Sequence, residues 1–297
     1  MSYHGLDVQD EADVPTPGIS HGSIKDSDAD HTDLHHAAAV RRLHRLISFA
    51  AGTVMCLFGY EQGVFGGIMV GQEFQRYFHE PSPSMIGLVT SVYDLGCFGG
   101  ALLALFLGEW LGRKRMLISF SIIMASGIIV QTATGSMSAL VWGRIIAGIG
   151  NGGNTATAPV WHVETSVQSA KGKAVVKEMV VNVVGFIFAN IITLMFSGMT
   201  TEGQWRLPLG IQLIFVVVIL TTVPLLPESP RWLLSRGRDA EAQVILASLS
   251  EQDSEVEFMA IRQSVRVEQA AEAPWSQVFQ GGLATRRLLL GMLLQVW

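Results

Sequence analysis

Residues 46–70 read LISFAAGTVMCLFGYEQGVFGGIMV, a run long and apolar enough to cross a bilayer that carries one charged side chain, Glu61. A spanning helix takes about 20 mostly apolar residues. A second run, Ala139–Trp161, holds Arg144 just inside its start. Charged groups at membrane depth are costly, so they face a bundle interior or an aqueous cavity and find a partner. Two of opposite sign on different segments point first to a proton- or ion-handling site. A salt bridge that merely locks two helices is the other reading.

Working outward, six segments have spanning length and apolarity: about 46–70, 85–108, 116–135, 139–161, 174–196 and 207–226. A seventh begins near Leu288 and reaches Trp297, too short to cross. Composition agrees with a membrane class, because 49% of residues are hydrophobic and 15% charged, where a soluble domain carries about 25% charged. Acidic residues concentrate before the first run and after residue 238, and the basic residues cluster elsewhere without forming a nucleic-acid footprint. Cys56 and Cys97 both fall in apolar runs and define no disulfide framework.

Residues 1–40 read as an acidic, disordered cytoplasmic tail. Lys25 is the only Lys or Arg before residue 40, so no basic flank of a secretory signal precedes the apolar run. His31, His35 and His36 match no closed metal-site spacing, so no metal or cofactor is expected. Lys and Arg then fall on alternate sides of the spans. Arg41, Arg42 and Arg45, then Arg113, Lys114 and Arg115, then Lys171 and Lys173, then the 227–287 segment form one set; the other loops hold only Arg76 and Arg206. The positive-inside rule puts the N-terminus and 227–287 in the cytoplasm.

This topology brings Glu61 and Arg144 to similar depth. Gly59, Gly63 and Gly67 form a small-residue stripe suited to close helix packing. Glu61 lies on the opposite side of the helix from that stripe, which leaves lipid or a central cavity. Gly148-Ile149-Gly150-Asn151-Gly152-Gly153 matches the dinucleotide fingerprint letter for letter. No strand precedes it and it lies in a helix-length apolar run, so close helix packing explains it better, with Pro159 bending or ending the helix afterwards.

Five stretches, in order, carry a family resemblance: Phe58-Gly59-Tyr60-Glu61-Gln62-Gly63; Gly108-Glu109-Trp110-Leu111-Gly112-Arg113-Lys114; Gly143-Arg144 through Pro159 to Glu164; Trp205-Arg206-Leu207-Pro208 with Gln212; and Pro227-Glu228-Ser229-Pro230-Arg231-Trp232-Leu233. The chain resembles the N-terminal half of the sugar porter family of the major facilitator superfamily, in its fungal-type branch. The resemblance implies an all-α polytopic membrane protein. Its parts are a six-helix half over 41–226, a cytoplasmic linker with short helices over 227–287, and the start of a seventh span at 288–297. It implies proton-coupled transport of a sugar, a monosaccharide first and an oligosaccharide or polyol second, by alternating access between two halves. The partners implied are the sugar, the proton, the bilayer and a second half from this or another chain; the plasma membrane is the implied location. The other reading is a non-transporting sugar sensor or a truncated, inactive fragment.

The resemblance also assigns residues. Glu61 and Arg144 would couple the proton, with Glu61 standing where the family generally has Asp. Glu109, Arg113, Glu164, Lys171, Glu228 and Arg231 resemble the family's cytoplasmic latch and salt-bridge network, against a simple reading as positive-inside anchors and solvated pairs. A sugar-contacting Gln would fall at Met179, which offers no amide. Glu178 and Asn182, four apart on one face, are candidates to replace it, with a purely structural role equally open. Gln212 and Gln295 complete the candidate sugar set.

Single cysteines at Ser23, Ser82 and Ser250, in a background lacking Cys56 and Cys97, test the orientation. Impermeant thiol reagent added to intact cells should label position 82 alone, and external labelling of position 250 would invert the topology.

Overall fold

Serine and proline set several of the helix starts. In the computed structural model, which describes residues 22–166, 171–250, 254–270 and the single residue 286, α3 (Pro83–Leu111) begins at Ser82, whose side chain accepts from the Met85 N–H, with Pro83 in the first turn. Ser136 caps α5 (Met137–Glu164) in the same way, and Ser229 with Pro230 starts α8 (Pro230–Ser235). Such caps satisfy backbone donors that the first helical turn leaves free. The other helices are α1 (Gly22–Met69), α2 (Gln72–Tyr77), α4 (Arg113–Ala133), α6 (Lys171–Phe196), α7 (Gly203–Thr222), α9 (Asp239–Leu249) and α10 (Ser254–Ala270). A 3-10 turn, Val223–Leu225, extends α7, and the described residues contain no strand.

The chain divides into two units, Met1–Ala38 and Ala39–Trp297. The first differs from the expected disordered tail, because its backbone is helical from Gly22 onward. Residues 23–51 contain neither Gly nor Pro, and once a helix is nucleated each further residue adds at little cost. The seventh span expected at 288–297, with Gln295, lies outside the described residues.

Among the described residues, five stretches are long and apolar enough to cross a membrane: His36–Met69, α3, α4, α6 and Gly203–Leu225. With α5 they make up the six helices expected from the sequence. The remaining helix, α5, has 28 residues but is less apolar, and its polar side chains Arg144, Asn151, Asn154, Thr157 and His162 are all buried. They face protein, not lipid, so α5 is the polar centre of the bundle.

Glycines make that burial possible. A Cβ at Gly96 would lie 2.6 Å from the Ile145 carbonyl oxygen, and Cβ atoms at Gly100, Gly148 and Gly152 would overlap backbone across the α3–α5 contact. On another side of α5, Cβ atoms at Gly150 and Gly153 would collide with Met124 and Phe120 of α4. The Gly148–Gly153 motif is therefore a two-sided packing surface, as the missing strand argued. Gly59, Gly63 and Gly67 seat α1 against α6 at Asn182, Phe186, Ala189 and Thr193. The helix α5 continues past Pro159 to Glu164.

One apolar core joins Ile47, Val54 and Leu57 of α1 to Leu117 and Met124 of α4, Trp161 of α5 and Val216 and Ile219 of α7. A second gathers Tyr60, Phe65, Phe74, Trp205 and Leu209 at the other end. There Arg206 donates to the Thr132 and Thr134 carbonyls and the Tyr77 hydroxyl, closing the ends of α4, α2 and α7 together. Trp232, Leu233, Leu246, Phe258 and Val265 form a separate small core among α8, α9 and α10.

Gly152→Ala should lower the thermal unfolding midpoint of the purified protein, by about 1–3 kcal/mol in stability. Gly99→Ala, whose new Cβ meets nothing within 4 Å, should leave it unchanged. Equal midpoints for the two variants would contradict the packing role.

Candidate functional site: a buried ion pair and a helix-end latch

Glu61 turns away from the glycine stripe, as its position dictates, but neither to lipid nor to an open cavity. It is 1% exposed and faces α5 inside the bundle. Arg144 Nη1 donates to Glu61 Oε2 at 3.0 Å, and Nε reaches the Val89 carbonyl of α3 at 3.4 Å. The guanidinium lies 4.1 Å from the ring centroids of both Phe65 and Tyr93. A cation stacked between aromatic faces in a desolvated site gains further stabilisation, on the order of 2 kcal/mol. Tyr93 in turn accepts at its hydroxyl from Asn151 Nδ2 at 2.8 Å. The pair thus ties α1, α3 and α5 at one level.

Arg144 is better satisfied than Glu61. Glu61 Oε1 has no hydrogen-bond partner among the described residues, nor do Gln131 Oε1, Asn151 Oδ1, Trp205 Nε1 or either polar atom of Gln212. The Gln212 amide, on α7, lies beside the Glu61 carboxylate without a hydrogen bond of good geometry. Unpaired buried polar atoms are costly and call for an explanation. Two of these residues, Glu61 and Gln212, are neighbours, and the Glu61 carboxylate is bonded through Oε2 alone.

The four residues of the candidate sugar set separate. Gln212 is fully buried within the bundle, next to Glu61. Glu178 is 3% exposed and engaged with His162, Nδ1 to Oε1 at 2.7 Å. Asn182 is half-buried and donates to the Met55 carbonyl at 3.4 Å. Four-residue spacing puts Glu178 and Asn182 on one side of α6, but the first meets α5 and the second meets α1, so no shared open surface results. Gln295 is not among the described residues.

Sequence reasoning missed His162, its contact with Ser48, and the Asn151–Tyr93 and Ser121–Asn154 hydrogen bonds. The available signal was an excess of amide, hydroxyl and imidazole groups on one run, 139–161 and its continuation.

The opposite end carries the latch residues. Gly112 separates α3 from α4 with φ +81°, a conformation glycine adopts without strain. A Cβ there would lie 2.6 Å from Glu228 Oε2. The Glu228 carboxylate accepts from the backbone N–H groups of Arg113 and Lys114, at 3.0 and 3.1 Å. An anion at a helix N-terminus satisfies orphan donors and complements the dipole. Arg113 forms a two-pronged bond to Glu164, Nε to Oε2 at 3.1 Å and Nη2 to Oε1 at 3.2 Å. Glu109 participates through its backbone carbonyl, which accepts from Trp232 Nε1 at 2.7 Å and from Arg236. Arg231 pairs with Glu268 of α10 at 2.6 Å, and Glu228 is committed to the start of α4. Lys171 lines a groove with Glu164 and Arg231 but forms no ion pair among the described residues.

The profile of the family described as "Sugar (and other) transporter" matches residues 47–297. The chain belongs to this sugar transporter family. It is 40% identical to the MFS-type transporter oryC of Aspergillus oryzae over 262 residues, which is 82% of this chain and 48% of that protein. It is 33% identical to the sugar transporter STL1 of Saccharomyces cerevisiae, over 74% of this chain and 41% of that one. It is 30% identical to the arabinose-proton symporter of Escherichia coli, over 86% and 52%. The chain therefore spans about half the length of the curated relatives it matches. In fold it is similar to the proton:xylose symporter XylE, with a TM-score of 0.70 at 22% identity, over 78% of this chain and 55% of that one. Its architecture is the N-terminal half of a major facilitator fold.

Removing one partner of a buried pair leaves an uncompensated charge and costs about 3–5 kcal/mol. Arg144→Leu should therefore unfold at lower temperature than the double variant Glu61→Gln/Arg144→Leu, in which no carboxylate is stranded. Strictly additive losses in the double variant would show that the two side chains do not interact.

Proposed function

We propose that the protein moves a sugar across a membrane coupled to a proton, with Glu61 as the proton carrier and Arg144 as the cation that controls it. The observation that carries this reading is the asymmetry of the pair. Glu61 is bonded through one oxygen only, Arg144 is anchored from three other directions, and Gln212 waits beside the free oxygen. With the carboxylate ionised, the pair is neutral and joins α1 to α5. A proton on Glu61 removes that attraction, and α1 and α5 are then free to shift relative to one another. A proton binding event thereby becomes a change in helix packing, as coupling requires.

The printed functions of two relatives support the coupling reading: one is a proton symporter of arabinose, and the structural neighbour is a proton symporter of xylose. A monosaccharide is the first substrate class to test. The sugar would bind where this half meets a second six-helix half, with Asn182 the member of the candidate set that is neither fully buried nor ion-paired. The Lys and Arg asymmetry favours a cytoplasmic N-terminus, in a plasma-membrane transporter. The latch of Glu228, Arg113 and Glu164 would hold the cytoplasmic ends of α4, α5 and the α7 extension together while the two halves rock.

In the full-length protein, Glu61→Gln should abolish sugar accumulation driven by an inward pH gradient and preserve sugar exchange at equilibrium. The amide keeps an acceptor for Arg144 but carries no titratable proton. Accumulation at wild-type level by this variant would reduce the pair to a structural bridge.

A further inference from the structure

A second buried acid–base cluster lies at the other end of α5. Ser48 Oγ of α1 is 3.0 Å from His162 Nε2, and His162 Nδ1 is 2.7 Å from Glu178 Oε1 of α6. Both His162 and Glu178 are 3% exposed. Beside them is a cavity of about 280 Å³ lined by Ser48, Gly52, His162, Lys177, Glu178 and Val181, among others. Glu61 and Ser48 are separated by thirteen positions on α1, about 20 Å along a helix. That is too far for direct proton transfer between the two sites.

We propose that Ser48, His162 and Glu178 form a second proton-binding site, separate from Glu61 and Arg144 and loaded through the adjoining cavity at the end of the bundle where α5 finishes and α6 begins. The hydrogen bonding fits two protonation states without moving a heavy atom. With a neutral imidazole, Nδ1–H donates to the Glu178 carboxylate and the Ser48 hydroxyl donates to Nε2. When a proton from water in the cavity adds to Nε2, the hydroxyl rotates and accepts from Nε2–H, while Nδ1–H still donates to Glu178. A hydroxyl both donates and accepts, so every bond survives. The cluster then passes from one net negative charge to neutral, and the reverse step returns the proton to water.

Charged and titratable groups face it from each of the three helices. On α6, Lys177 lines the same cavity. On α1, His44 is bonded to the Leu249 carbonyl and Arg45 donates to the Arg41 carbonyl. On α5, Glu164 is held by Arg113. Among the described residues His162 is the imidazole paired with a carboxylate, and imidazole is the side chain whose ordinary titration falls in the physiological range. A proton here changes the charge at the junction of α1, α5 and α6. Under the proposed orientation it would report cytoplasmic pH to the same helices that carry the coupling pair.

The site is tested on the full-length protein in lipid nanodiscs with ¹³Cε1-labelled histidine, the His162 signal being assigned by its loss in His162→Gln. The wild-type signal should move in one step as pH is varied from about 5 to 9, keep that step in Glu61→Gln, and show a displaced step in Glu178→Gln. A signal fixed across the whole range, or a step that disappears in Glu61→Gln, would overturn the proposal. A second arm rests on the transport reading: with external pH constant, His162→Gln should lose the dependence of sugar uptake on internal pH, and an unchanged dependence counts against the site. Absence of proton-driven uptake in the wild type would defeat the transport reading alone, because the resonance measurement does not depend on it.

Discussion

The ion pair between Glu61 and Arg144 exists at this depth because α5 is enclosed by backbone. Where Gly96, Gly100, Gly148 and Gly152 bring α3 and α5 together, and Gly127, Gly143, Gly150 and Gly153 bring α4 onto the same helix, water and lipid are excluded from α5 on both sides. A helix carrying Arg144, Asn151, Asn154, Thr157 and His162 would be a poor membrane span alone. Wrapped by its neighbours, it becomes a column of polar groups inside an apolar shell. That column is only partly satisfied: Arg144 bonds through Nε and Nη1, while Glu61 Oε1 and the Gln212 amide keep unbonded atoms.

Much of this was legible in the sequence. Length and apolarity located the helices, and two charges of opposite sign at matching depth identified the pair, because few other arrangements tolerate them. The absence of a preceding strand correctly turned the Gly148–Gly153 motif into a packing surface. Helices in the 227–287 segment fall where mixed polar and apolar spacing placed them, at Asp239–Leu249 and Ser254–Ala270. What stayed hidden was partner choice. Helical periodicity gives the side of a helix that a residue occupies, not which neighbour arrives there. So Glu178 was grouped with Asn182 although it bonds His162, and the Glu268 partner of Arg231 was not foreseen. Glu61 was given lipid or a cavity as its surroundings because the enclosing faces of α3 and α5 come from residues distant in sequence.

The two ends of the bundle are built by different chemistry. At the α2–α7 end, aromatic rings of Phe74, Tyr77, Phe78 and Trp205 pack on one another, with ring centroids 4.8 to 6.0 Å apart, and Arg206 ties carbonyls together. At the opposite end, carboxylates cap and bridge: Glu228 on the start of α4 and Glu164 on Arg113. Carboxylates occur at both ends: Glu202 pairs with Arg206 at the aromatic end, while Glu228 and Glu164 hold the N–H groups and side chain of Arg113 at the other.

Proton control of the link between α1 and α5 turns on one contact, which cryo-electron microscopy of the full-length protein at alkaline pH measures. Glu61 and Arg144 should be in direct contact within 3.5 Å, with the guanidinium between Phe65 and Tyr93; the same protein under acidic conditions should show the carboxylate released from Arg144. A pair that is separated at alkaline pH, or equally close at both pH values, would contradict a proton-controlled link between α1 and α5.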